Sequence, residues 1–110
     1  MEDNRLELAH RAKSINSKII SLPRLLILVT VAKFGQDGVS YRELKAGLEL
    51  GDGVLFTNLR TLAQMGYLDS KKVKLAGEEM TIYCMRKEGV EALFAVKKWL
   101  TSWLSGDSNG

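Results

Sequence analysis

Residues 40–68 read SYRELKAGLELGDGVLFTNLRTLAQMGYL, a run that holds two helix starts and two helix ends. It opens on Ser40-Tyr41-Arg42-Glu43, the spacing of a capping box: the serine accepts from the third helical N–H and the glutamate reaches back to the cap. A short helix is therefore predicted from Tyr41 to about Gly47. Leu48-Glu49-Leu50-Gly51 interrupts it, Asp52 offers a second cap, and a longer helix is predicted from Gly53 to Met65, ended by Gly66. Two helices joined by a Gly-containing turn of about four residues form a helix-turn-helix, a pairing that serves many functions.

Working upstream, Leu8, Ala12, Ile15 and Ile19 recur at i, i+4, i+7 and i+11, which lines one face of a helix over residues 4–20. Ser21-Leu22-Pro23 reads as a break and restart, with Pro23 at an early helical position where its missing N–H costs little. The run LLILVTVAKFG that follows is apolar almost all round and so is expected to be buried on most sides. Its β-branched content also permits a buried strand, but its length and the closing Gly35 favour helix.

Downstream the period changes. Tyr67 to Lys74 and Met80 to Met85 are strand-like runs around the loop Leu75-Ala76-Gly77-Glu78-Glu79, which predicts a β-hairpin over 67–86. A last helix is predicted over 88–104, and the tail 105–110 has nothing to bury and is expected to fray. The expectation is one mainly α domain, residues 1–104, with a small β-hairpin.

Helix, helix-turn-helix, hairpin, helix is the order of a winged helix-turn-helix domain. Leu48, Leu50-Gly51-Asp52-Gly53, Leu55, Leu59-Arg60, Leu62 and Gly66-Tyr67-Leu68 resemble the small winged-helix transcriptional regulators of the MarR and ArsR groups. Thr81-x-Tyr83-x-Met85 with Lys87-Glu88-Gly89 is similar to the wing strand and last-helix start of that family. The resemblance implies a homodimeric DNA-binding regulator with extra N- and C-terminal dimerisation helices. Its second helix of the pair would enter the major groove and its wing would touch the backbone of double-stranded DNA.

With Leu55 at the centre of the buried side and about 100° per residue, the opposite face carries Gly53, Thr57, Arg60, Thr61 and Gln64, with Val54, Phe56 and Asn58 on the flanks. Threonine and glutamine can bond base edges and Arg60 can reach guanine or phosphate. Relatives often carry a polar residue where Val54 stands and a small one near Phe56. The DNA-contacting set expected on these grounds is Ser40, Arg42, Gly53, Val54, Thr57, Asn58, Arg60, Thr61 and Gln64, with the wing lysines Lys71, Lys72 and Lys74. The plainer reading makes Phe56 a packing residue and the polar face ordinary wet surface.

The net charge is only +3, so its location matters more than its size. Residues 67–87 hold five basic and three acidic side chains, a surplus of +2, whereas residues 88–110 hold two and three, a net of −1. Wing lysines add salt-sensitive affinity with little sequence information. They also keep an edge strand from pairing with other molecules, and both readings can hold.

On the last helix Val90, Leu93, Phe94, Leu100 and Leu104 form one apolar face, expected to pack on the core. A second stripe, Ala92, Val96, Trp99 and Trp103, repeats the i, i+4, i+7, i+11 spacing of Leu8, Ala12, Ile15 and Ile19. The pairing of these two stripes across a two-fold axis is the expected dimer interface, which suits a palindromic site. Packing of the same two helices within one chain is the alternative.

One cysteine, Cys84, excludes an internal disulfide, and with a single His it excludes a Cys/His structural zinc site. No phosphate loop, nucleophile elbow or paired catalytic carboxylate occurs, so neither an enzyme nor a cofactor is expected. The N-terminus opens acidic and the longest apolar run, Leu22 to Ala32, is about half a bilayer span. No membrane association and a cytoplasmic location are expected. A protein-binding winged-helix module is the second functional reading, on the strength of Val54, Phe56 and the single basic residue of the recognition helix.

Overall fold

The capping box is present as the sequence predicts: the Glu43 N–H donates to Ser40 Oγ at 3.0 Å, and the Ser40 N–H donates to Glu43 Oε1 at 3.0 Å. The computed structural model describes residues 4–19 and 21–104. In chain order the elements are α1 (Asn4–Arg11), α2 (Leu22–Phe34), β1 (Val39–Ser40), α3 (Tyr41–Leu48), α4 (Asp52–Gln64), β2 (Leu68–Leu75), β3 (Glu78–Met85) and α5 (Lys87–Leu104). This is the mainly α winged helix-turn-helix expected.

Three local expectations need correction. The first helix does not run to residue 20. It ends at Arg11, and 3-10 turns at Ala12–Ser14 and Ser17–Ile19 flank an extended Ile15. Asn16 explains part of the break, since its Oδ1 accepts the Lys18 N–H at 3.0 Å and so competes with a helical ladder. The second cap falls on Gly51, one residue before Asp52, and Asp52 makes no side-chain cap bond. Finally, α2 is not enclosed on most sides: Ile27, Leu28 and Val31 are fully buried, but Leu22, Leu26 and Val29 share an exposed side.

The hairpin is tighter than predicted, and it gains a partner. β2 and β3 pair antiparallel from Leu68↔Met85 to Leu75↔Glu78 around Ala76-Gly77, both at positive φ (54° and 81°), as a type I′ turn requires. β1 joins on the other side of β3 through Val39↔Tyr83 and Ser40↔Ile82, giving sheet order β1-β3-β2. Two residues are too few for a period-2 pattern, so this strand has no signature in the sequence. Gly38 permits the approach: a Cβ there would stand 2.5 Å from Ile82 Cγ2 and 2.8 Å from Cys84 Sγ.

The core is built where α2, α3 and α4 meet the sheet. Ile27, Leu28, Val31, Leu44, Leu55, Leu59, Leu62 and Leu68 are all nearly inaccessible, and Ile19, Val39, Tyr83 and Val96 complete it. Each such burial is worth roughly 1.5–3 kcal/mol before conformational entropy is charged.

The two stripes of the last helix are partly exchanged. Ala92 and Val96, expected at a dimer interface, point into the core with Leu93 and Leu100, whereas Val90, Phe94 and Leu104 are exposed. The cause is Gly89, whose Cβ position lies 2.3 Å from the Tyr67 carbonyl oxygen. Lacking a side chain, Gly89 lets the helix start settle on the Tyr67 backbone, and this rotates Ala92 and Val96 inward. On the N-terminal side Ile19 is fully buried in the same chain, which removes it from the expected interface, and Ile15 is half-buried against the core. Ala12 and Trp99 are half-buried and Trp103 is exposed, while nothing is described for the Leu8 side chain or for the expected tail at 105–110.

Candidate nucleic-acid interface

α4 is held by its buried leucines and by two polar clusters at its N-terminal half. At its first turn, Asp52 Oδ2 accepts from Lys45 Nζ at 2.8 Å and Oδ1 accepts from the Tyr41 hydroxyl at 2.9 Å. The hydrogen bond from Lys45, seconded by Tyr41, holds the Asp52 carboxyl below the usual carboxylate range. Tyr41 shifts the opposite way, pushed up by burial and by its donation to Asp52. Tyr41 and Lys45 thus fix α3 against the start of α4 through Asp52, which the sequence reading singled out only as a helix cap.

Nearly two turns later Asn58 is occupied on both ends. Its Oδ1 accepts from Arg24 Nε at 2.8 Å, and its Nδ2 donates to the Val54 carbonyl at 2.8 Å. Asn58 is therefore half-buried and engaged within the protein. Ser40 departs from expectation in the same way: it is 5% exposed and its hydroxyl serves the α3 cap.

What α4 does present is a strip of Gly53, Thr57, Arg60 and Gln64, all exposed, with Thr61 half-buried beside it. Two apolar side chains flank the strip, Val54 at 45% exposure and Phe56 at 55%. Phe56 does not pack away on α3. With Tyr41, Arg42, Glu79, Met80, Thr81 and Tyr83 it lines an open groove of about 350 Å³ between the helix pair and the hairpin.

The strand register sorts the wing lysines. Lys72 and Lys74 stand opposite Thr81 and Glu79, on the side of the sheet that carries Tyr83 toward the helices, and Lys71 alternates to the other side. All three are exposed. Lys72 has a loose contact with Glu79 at 3.9 Å, and among the described residues Lys71 and Lys74 have no ion pair. Arg86 is different: Asp69 at 2.9 Å and Glu88 at 3.7 Å close around it, and the Asp69 hydrogen bond pushes its guanidinium higher still. Arg42 projects at the start of α3, 3.7 Å from Glu78 at the tip of the hairpin. Such exposed pairs contribute little and yield readily to a phosphate.

Chemically, the surface offers neutral hydrogen-bonding groups and one guanidinium on a helix, apolar flanks, and cations along an adjacent ribbon. Among the described residues no group of His, Cys, Asp and Glu is placed to hold a metal, and no helix is long and apolar enough to cross a membrane.

Known proteins place this geometry. The structure is similar to ytfH of Salmonella typhimurium, with a TM-score of 0.62 and 21% identity over 84% of this chain and 80% of that one. It is similar to the PcaV transcriptional regulator of Streptomyces coelicolor, which was solved with its natural ligand: TM-score 0.62, 17% identity, 93% of this chain and 74% of that one. A PadR-like transcription factor from Bacteroides fragilis aligns with a TM-score of 0.61 at 15% identity over 97% and 95% of the two chains. At these identities the likeness is one of fold. No curated protein matches the chain in sequence. The profile of the winged helix DNA-binding domain matches residues 24–104, from the start of α2 through the wing to the end of α5, and the chain belongs to that family.

Proposed function

We propose that the protein is a homodimeric DNA-binding transcriptional regulator acting in the cytoplasm, with α4 in the major groove and the wing on the phosphate backbone. The observation that carries this reading is the coincidence of two features. The exposed strip Thr57-Arg60-Gln64 lies on the helix packed beside β2, and β2 carries Lys72 and Lys74 on its helix-facing side. The helix supplies base-edge partners and the ribbon supplies counter-charge. Arg42, at the start of α3, adds a third backbone contact. DNA selected from a genomic or random pool, titrated by fluorescence anisotropy, tests the proposal. Binding that weakens steeply with salt is expected, and no salt-dependent binding at micromolar protein refutes it.

The dimer in this reading uses the outward face of α5, Val90, Phe94 and Leu104, which a single chain leaves more than half exposed, with Trp103 of the expected stripe exposed on another side of the helix. A two-fold pair would present two α4 helices to a palindrome with half-sites about one helical turn apart. Sedimentation at tens of micromolar should show a dimer, and Phe94→Glu should give a folded monomer. A wild-type monomer under those conditions removes the dimer.

The exposure of Phe56 and Val54 favours a second reading, a winged-helix module that binds protein through the groove. A partner that no longer binds after Phe56→Ala, with no DNA binding by the wild type, would decide for it.

A further inference from the structure

Arg24 lies at the start of α2, outside every set of residues expected to meet DNA, yet it is the hub of a polar cluster under the recognition helix. Its backbone N–H donates to Ser21 Oγ at 3.3 Å, its Nε donates to Asn58 Oδ1 at 2.8 Å, and its Nη1 donates to the Lys18 carbonyl. Asn58 relays the contact up its own helix by donating to the Val54 carbonyl at 2.8 Å. Among the described residues Arg24 has no carboxylate partner. Its charge is met by neutral acceptors on two different segments. A planar guanidinium has the fork needed to hold two acceptors at a fixed separation, and a lysine does not.

The segment on the other side of this fork is the 3-10 turn Ser17–Ile19, anchored by the fully buried Ile19. A second bond ties the same segment to the far end of α4, where Asn16 Nδ2 donates to the Tyr67 hydroxyl at 2.9 Å. The turn region 12–19 is thus fastened at two points, one beside the middle of the recognition helix and one just past its C-terminal end.

We infer that Arg24 is a positioning residue for DNA recognition: with Asn58 it fixes the rotation of α4 about its own axis against the N-terminal turn. This inference rests on the DNA-binding reading and adds a route by which that reading can be regulated. The rotation decides whether Val54 and Thr57 meet bases or the backbone. Anything that shifts the 12–19 segment therefore acts on the DNA-facing strip through the Arg24 fork.

Arg24→Gln, Arg24→Lys, Asn58→Ala and the double variant Arg24→Gln/Asn58→Ala are compared with wild type at a temperature where circular dichroism shows all of them folded. Each single variant should weaken DNA binding by about tenfold, Arg24→Lys included, and the double variant should be no weaker than the singles. The slope of log K against log salt should stay at the wild-type value, because every phosphate keeps its partner. If Arg24→Gln lowers the slope by about 0.9 per protomer and its effect adds to that of Asn58→Ala, Arg24 touches phosphate directly and the inference is wrong. Hydrogen exchange gives a readout free of DNA: Asn58→Ala should raise exchange at Ser17–Ile19. If the wild type binds no DNA, the underlying reading fails; unchanged exchange at that turn refutes the fork itself, whether or not DNA binds.

Discussion

Replacing Gly89 by alanine sets two effects of opposite sign against each other. Gly89 lies in the first turn of α5, and helix propensity alone predicts that alanine stabilises it by up to about 1 kcal/mol. Packing predicts the reverse. The new Cβ would stand 2.3 Å from the Tyr67 carbonyl oxygen, 3.1 Å from its carbon and 3.2 Å from Met85 Cε, where ordinary contact begins at 3.4 Å. The close neighbour is backbone, so a rotamer change cannot relieve it, and the helix must retreat by about an ångström. The same carbonyl accepts the Arg86 N–H at 3.0 Å, so the retreat strains that bond as well. Overpacking of this kind costs typically 1–3 kcal/mol or more, and here it outweighs propensity. The expected net loss is about 2 kcal/mol, a fall in Tm of about 8 °C for a domain of this size. Gly47→Ala is the matched control, because Gly47 is helical and exposed and its Cβ position has nothing within 4 Å. It should gain about 0.5–1 kcal/mol. Thermal and urea denaturation of both variants decides the matter. If Gly89→Ala is as stable as wild type while Gly47→Ala gains, the close approach of α5 to Tyr67 is wrong, and the rotation that buries Val96 loses its explanation.

Lys72→Ala/Lys74→Ala should flatten the salt dependence of DNA affinity by about 0.9 in slope for each phosphate left without its lysine, whereas Lys71→Ala, on the other side of the ribbon, should change it less; equal effects refute the sorting by register. Because Lys45 and Tyr41 lower the folded pKa of Asp52, its contribution to stability is fully present above the unfolded carboxylate range and is lost as pH falls through the lower folded value. Asp52→Asn should therefore show a shallower loss of urea midpoint than wild type between pH 5 and pH 2, a range set by ordinary carboxylate titration, and an unchanged profile contradicts the assignment. Ala76 holds a left-handed conformation at φ 54° in the hairpin turn, so Ala76→Asn should raise stability by about 1 kcal/mol in thermal denaturation.

Local chemistry made the helix-turn-helix legible. The capping box at Ser40 and Glu43, the leucine spacing of α4 and the turn residues of the hairpin each act within a few positions, and each held to within a residue or two. Features that depend on distant chain were not legible. The side of α5 that turns inward is decided by the approach of Gly89 to Tyr67, and two apolar stripes on one helix give no means of choosing between them. The strand Val39–Ser40 exists because β3 is there to receive it. Asn58 reads as a surface amide until Arg24, 34 positions away, takes its oxygen. Ser40 is a different case, since the capping box that predicted its helix already occupied its hydroxyl. The spacing itself argued against a role on DNA.

Pairing alters what the charge surplus of the hairpin region means. Residues 67–87 carry +2, but Arg86 is closed in by Asp69 and Glu88 at the base of the wing and Lys87 already belongs to α5, which leaves Lys71, Lys72 and Lys74, toward the middle and tip of β2, as the cations of the wing. α4, by contrast, presents Arg60 as its one cation, with threonine, glutamine and two apolar flanks for the rest. Under the proposed function the two tasks of a DNA-binding domain are therefore carried by different elements. The wing supplies most of the affinity, in a form that salt removes. Recognition rests mainly on neutral hydrogen bonds and on apolar contact of Val54 with thymine methyl groups, which salt scarcely touches. The ratio of specific to non-specific affinity should accordingly hold nearly constant as salt rises, even while both affinities fall. A ratio that collapsed with salt would transfer recognition to Arg60 and leave the apolar flanks without a part in it.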